Sequence, residues 1–180
     1  VLLGGELFTG CNLVMGVSLY ENQVSPAGAL RVWIMSYLGN LAGILALCLV
    51  LVGSGASADL LGAYLAVIVP GKLSLPWYVL LLRGVLCNFL VCIGVFAGFR
   101  LQSETGKALV IALAITTFVL TGLEHSIANM AYFALYALYT HTADWAAMGW
   151  NLLWVTIGNL LGGAVLLGWP LWYAAEEKEK

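Results

Sequence analysis

The sequence predicts an all-α integral membrane protein built as an inverted repeat around two interrupted helices. Three observations carry this expectation. The first is composition: of 180 residues, 62% are hydrophobic and 9% are charged, with a mean hydropathy of +0.98. Seven basic and nine acidic side chains cannot solvate a globule of this size, where about a quarter of residues would carry charge. The second is that these charges leave long apolar runs between them. The third is that one pattern of polar interruptions occurs twice. The same numbers exclude a disordered chain, which needs low hydrophobicity and high charge. A net charge of -2 and a pI near 5.6 provide no basic footprint for nucleic acid.

The apolar runs are continuous, whereas strands of a membrane barrel alternate over about ten residues, so the spans read as helices. No acidic or basic residue occurs in the 27 positions between Arg31 and Asp59, and none from 145 to 175; residues 74–99 hold only Arg83. About 20 apolar residues cross a bilayer as a helix. Spans are expected at 32–53, 75–99, 107–140 (interrupted) and 146–173. At the N-terminus, Gly4-Gly5-Glu6 interrupts an apolar run that resumes at Leu13–Tyr20. It reads as the second half of a spanning helix. The chain is thus expected to be a single transmembrane domain, residues 1–180, incomplete at its N-terminus, and no signal peptide is evident. Lys72 falls in a connecting loop, and Arg83 reads as a residue snorkelling near a helix end. If the spans alternate, Arg31, Arg100, Lys107, Lys178 and Lys180 share one side, which places the C-terminus in the cytoplasm. Cys11, Cys48, Cys87 and Cys92 read as small buried hydrophobes. Most tryptophans, among them Trp33, Trp77 and Trp145, sit at span ends as an interfacial belt requires.

The internal repeat gives this arrangement a purpose. Tyr37-Leu-Gly-Asn-Leu-Ala-Gly43 reappears as Thr156-Ile-Gly-Asn-Leu-Leu-Gly162. Upstream of each lies an interruption: Gly4-Gly-Glu-Leu-Phe-Thr-Gly-Cys-Asn12 and Thr121-Gly-Leu-Glu-His-Ser-Ile-Ala-Asn129. Broken helices in inverted repeats meet near the bilayer midplane in transport proteins. Backbone freed at a break is tolerated only against protein or an aqueous cavity, and a restarted half-helix offers free N–H groups to a small anion. Thr9 and His125 are the hydrogen-bonding residues of the two breaks. Glu124 and Glu6 read as structural, holding their own breaks; a carboxylate at membrane depth costs at least about 2.5 kcal/mol unless paired. His125 suits hydrogen bonding or proton exchange in a pore. Asn88 and Asn159 fit either an interhelical hydrogen bond or a pore wall. Gly39, Gly43, Gly158, Gly162 and Gly163 are expected where helices pack closely.

At these residues the sequence resembles the formate/nitrite transporter family. Gly5-Glu-Leu-Phe-Thr-Gly10, Leu86-Cys-Asn-Phe-Leu-Val-Cys92, Gly122-Leu-Glu-His-Ser-Ile-Ala-Asn-Met130 and Thr156-Ile-Gly-Asn-Leu-Leu-Gly-Gly163 match its motifs in order across nearly the whole chain. The resemblance implies an aquaporin-like six-helix bundle with broken second and fifth helices, of which this chain lacks the first helix and half of the second. It also implies a homopentamer in the cell membrane, a pore in each subunit, and passage of small monovalent anions such as formate, nitrite or hydrosulfide, with protons possible partners. By motif position, His125 matches the central pore histidine and Thr9 the threonine facing it. Asn88 and Asn159 match pore asparagines, Lys72 the vestibule lysine that attracts anions, and Leu7, Phe8, Val91 and Phe118 apolar constriction residues. Cys11 stands where many relatives have Asn. No cofactor or metal is expected, and an enzyme is the least favoured class. Two other readings remain: a neutral-solute pore of the aquaporin type, although neither break carries the Asn-Pro-Ala sequence, and a non-transporting membrane scaffold.

Overall fold

The computed structural model describes residues 6–179, so the expectations for Val1–Leu3 and Gly4-Gly5 lie outside the described residues. Where the chain is described it is helical. Helix α1 (Phe8–Tyr20) follows the first break. Helix α2 (Pro26–Ser54) starts on two local signals: Pro26 at its first position and Ser25, whose Oγ accepts from the Gly28 N–H at 3.1 Å, a donor the helix itself leaves unpaired. It stops at Gly55, whose φ of 69° is open to glycine and costly for other residues. Helix α3 (Ala58–Leu73) leads through Pro76 into α4 (Trp77–Arg100). Helix α5 (Glu104–Leu120) is capped by Ser103, and α6 (Ser126–Thr140) restarts after the second break. Helix α7 (Trp145–Leu160), capped by Asp144, runs without interruption through a π-helical stretch, Leu161–Gly168, into α8 (Trp169–Glu179).

Among the described residues, three continuous helical segments are long and apolar enough to cross a membrane: Pro26–Ser54, Trp77–Arg100 and Trp145–Glu177. They correspond to three of the expected spans. The interrupted fourth divides into α5 and α6. Helix α4 forms the centre, packed along α7, α5 and the π-helical stretch, while α1 lies on that stretch and α6 bridges α2 and α3. By contrast α2 buries only Ala29 and Cys48, and Leu47, Leu49 and Val50 are all more than 60% exposed. Such a face suits hydrocarbon rather than water. All four cysteines are buried and free.

In its helical framework the structure departs from the sequence reading in four places. Residues 58–73 form a helix, not a loop, and Lys72 sits in its last turn. With 16 residues and a rise of about 1.5 Å each, α3 is shorter than a bilayer, and its charged ends, Asp59 and Lys72, broke the apolar run. Gly39 and Gly43 face open space, whereas Gly158, Gly162 and Gly163 do lie in tight contacts. Arg83 does not simply snorkel: its guanidinium donates to the Gly122 carbonyl at 3.3 Å, bracing the second break. The π-helical stretch was not expected. Tyr20 donates its hydroxyl to the Ala164 carbonyl at 3.1 Å, satisfying an acceptor there, and such wide turns recur where helices carry function.

Candidate functional site: two helix breaks meeting at a histidine

Helix α5 ends at Leu120 and is capped by Thr121, the chain turns through Gly122 in the left-handed region (φ 67°), and α6 begins after His125. His125 is extended (φ -113°, ψ 115°) and caps α6: its Nδ1 accepts from the Ala128 N–H at 3.2 Å. An accepting Nδ1 carries no proton, so in the neutral ring the proton is on Nε2. Nε2 lies 3.2 Å from Thr9 Oγ1 and therefore donates to it. Phe118 stacks on the imidazole with centroids 5.5 Å apart. The ring is thus fixed from three sides, and the two breaks predicted from sequence meet through Thr9 and His125.

Asn159 pins this break from α7. Its Oδ1 accepts from the Ser126 N–H at 2.9 Å, and its Nδ2 donates to the Glu124 carbonyl at 3.0 Å and to the Gly84 carbonyl at 2.9 Å. The groups held are the two that flank His125. Asn88 donates to the Asn159 carbonyl at 2.6 Å and so ties α4 to α7. Both asparagines are fully buried, and their amides serve the scaffold that displays the histidine.

Glu124 is 1% exposed and fully engaged. Lys72 donates to Oε1 at 2.9 Å and Asn129 to Oε2 at 2.6 Å. Asn129 also donates to Asn151 Oδ1 at 2.9 Å, and Asn151 donates back to the Lys72 carbonyl at 3.2 Å. A closed polar ring therefore joins α3, the break, α6 and α7, with the Tyr132 ring 5.4 Å from the Lys72 ammonium. The sequence reading had Glu124 satisfied by N–H groups of its own break; its partners are instead side chains from elsewhere. Asn129 and Asn151 were not singled out. The one available signal for Asn151 was an amide inside a charge-free span.

A cavity of about 110 Å³ opens beside His125, lined by Leu7, Val91, Phe118 and, further along α4 and α5, by Gly94, Ile111 and Ala114 among others. Three of the four expected constriction residues thus wall one space whose sole polar side chain, among the described residues, is the imidazole. Phe8 does not line it. Its ring packs with Ile127 and Met130 and meets Tyr37 edge-on at 5.0 Å. Thr9 is buried behind the wall, in contact with His125.

Lys72 and Glu124 can be separated experimentally. Lys72→Met leaves a buried carboxylate without its cation, which costs about 3–5 kcal/mol. Thermal unfolding of purified protein should show a marked loss for Lys72→Met, largely recovered in Lys72→Met with Glu124→Gln. Equal midpoints for wild type and Lys72→Met would show that the ion pair does not stabilise the break.

A helical membrane bundle in which two helix breaks meet beside an apolar cavity defines a channel or transporter. Residues 1–173 match the model of the Formate/nitrite transporter family, and the chain belongs to that family. It is 34% identical over 184 residues to the nitrite transporter NirC of Salmonella typhimurium, covering all of this chain and 68% of that protein. The fold is similar to that of an FNT family ion channel, with a TM-score of 0.88, 33% identity, and coverage of 97% of this chain and 71% of the other. It is also similar to a pentameric formate channel with formate bound, with a TM-score of 0.80, 28% identity, and coverage of 97% and 76%.

Proposed function

We propose that this protein passes small monovalent anions of weak acids, with formate, nitrite and hydrosulfide as candidate substrates, across a cell membrane, and that His125 is the polar contact on the way. The observation that carries this reading is the apolar cavity with a single imidazole in its wall. A bare anion entering such a space loses its hydration, at a cost of many kcal/mol; a hydrogen bond from Nε2–H, directly or through Thr9 or water, offsets part of that, and an anion that takes up a proton from water at the entrance and crosses as the neutral acid avoids the rest. The Lys72–Glu124 pair has no net charge, so attraction by Lys72 acts at short range, at the entrance rather than in bulk solution. The name of the nitrite transporter relative and the formate bound in the pentameric relative support the substrate class, and the latter supports a homopentamer. The distribution of Lys and Arg supports a cytoplasmic C-terminus.

Flux into proteoliposomes tests the reading. Formate, nitrite and hydrosulfide should each enter faster than into protein-free vesicles, and each should compete with the others at two pH values. Permeation of water or glycerol without any of these anions would favour the neutral-solute pore; absence of all flux would favour the scaffold. Replacing Lys72 with Ala, together with Glu124→Gln to preserve the fold, should slow formate uptake.

A further inference from the structure

We infer that Asn40 is a positioning residue for the permeation site: it holds the first helix break as Asn159 holds the second, and through that break it sets Thr9 against His125. The inference rests on the reading of Thr9 and His125 as that site. Asn40 Oδ1 accepts from the Phe8 N–H at 2.9 Å, and its Nδ2 donates to the Glu6 carbonyl at 3.0 Å. Asn159 Oδ1 accepts from the Ser126 N–H at 2.9 Å, and its Nδ2 donates to the Glu124 carbonyl at 3.0 Å. Each amide therefore clamps the groups on either side of one residue, Leu7 in the first break and His125 in the second.

Independent observations support this correspondence. Leu7 has φ -109° and ψ 123° and His125 has φ -113° and ψ 115°, and each is the residue from which the next helix starts. Five residues beyond each glutamate, a side chain donates to its Oε2: Cys11 to Glu6 at 2.8 Å and Asn129 to Glu124 at 2.6 Å. Tyr37 and Thr156, equivalent in the two sequence repeats, touch each other, hydroxyl to hydroxyl at 2.9 Å. The clamped residues Leu7 and His125 both line the cavity. The repeat thus builds one display position twice and fills it once with an apolar side chain and once with an imidazole. Thr9 and His125 are the hydrogen-bonding residues of the two breaks and touch each other, but the clamps make Leu7 the counterpart of His125 in the repeat, with Thr9 two positions beyond it.

The two clamps are unequal. Asn159 is fully buried and makes a third bond to Gly84. Asn40 is half-buried and borders a groove with Glu6, Val32, Ser36 and Gly39. Thr9 follows the Phe8 N–H directly, so loss of that hydrogen bond acts on the Thr9–His125 contact before anything else. Displacements of about 1 Å in such positions cost up to about a hundredfold in rate.

A double-mutant cycle tests this on the full-length protein in proteoliposomes, with formate uptake as the readout. Asn40→Leu and Thr9→Val should each slow uptake by about tenfold or more. The double variant should be no slower than the slower single, because residues acting through one contact are not additive. Asn40→Asp, which keeps an acceptor for the Phe8 N–H, should fall between wild type and Asn40→Leu, and it takes the place of Asn40→Leu in the cycle if that variant is not monodisperse. A wild-type rate for Asn40→Leu, or a double variant slowed by the product of the two single effects, overturns the assignment. If wild type itself is no faster than protein-free vesicles, the transport reading fails and this inference with it.

Discussion

Formate uptake by His125→Phe is expected to fall by at least about tenfold at neutral pH and to become a steep function of pH. The side chain is similar in size and still stacks on Phe118, but it has no N–H for Thr9 or for a passing anion. A hydrogen bond to a charged partner contributes about 1.5–3 kcal/mol, or about ten- to a hundredfold in rate. Without it only the neutral acid crosses the apolar cavity, and its population falls about tenfold for each pH unit above the acid's own pKa. Phenylalanine also removes the acceptor for the Ala128 N–H, a loss of about 1 kcal/mol in helix capping. His125→Asn controls for that, because asparagine caps well and retains a donor. It should keep the thermal stability of wild type and more of its flux than His125→Phe. Uptake measured across a range of pH in proteoliposomes checks both variants. An unchanged rate and pH profile for His125→Phe would remove the histidine from the mechanism.

The parts of this site legible in the sequence are those where chemistry departs from its surroundings. Glu124-His125 stands out because it holds the one charged residue between Lys107 and Asp144, and the spans stand out because charge is absent from them. Partnerships between distant residues left no such trace. Lys72 and Glu124 are 52 positions apart, and only the fold of α3 over α6 brings them together. Helix α3 was itself hidden, because a search for long charge-free runs stops at Asp59 and Lys72. The repeat was legible as letters but misleading as environment. Gly39 and Gly43 copy Gly158 and Gly162 in sequence, yet the first pair faces open space while the second lies against α4. The amides show the reverse: Asn40 and Asn159 do the same work in both halves. Sequence identity between repeats carried over where the contact is local to the break, and failed where it depends on which helix packs alongside.

That difference sets up the second large effect. Where α7 and the π-helical stretch that continues it cross α4, a Cβ on Gly158 would overlap the Leu81 carbonyl oxygen and one on Gly162 the Val85 carbonyl oxygen, and one on Gly84 would lie 2.8 Å from the Val155 carbonyl. The neighbours are backbone, which cannot rotate away as a side chain would. Small residues four apart let membrane helices approach this closely. The close approach has a further consequence: it brings the Gly84 carbonyl to 2.9 Å from Asn159 Nδ2 and Asn159's carbonyl to 2.6 Å from Asn88 Nδ2. A side chain at Gly162 must part the helices, and parting them strains the amide that flanks His125. Overpacking alone costs about 1–3 kcal/mol, and loss of these hydrogen bonds, which leaves buried polar groups unpaired, adds about 1–3 kcal/mol for each. Gly162→Val is therefore expected to lower the melting midpoint by about 10 °C or more, or to yield no monodisperse protein. Gly149→Ala, on the same helix with nothing near its Cβ, should behave as wild type. Thermal unfolding of the two variants side by side measures the difference, and equal midpoints would mean that the α4–α7 crossing yields without cost. If Gly162→Ala proves stable enough to reconstitute, its formate flux should fall further than its melting midpoint suggests, because the first group to move is the pin that orients the histidine.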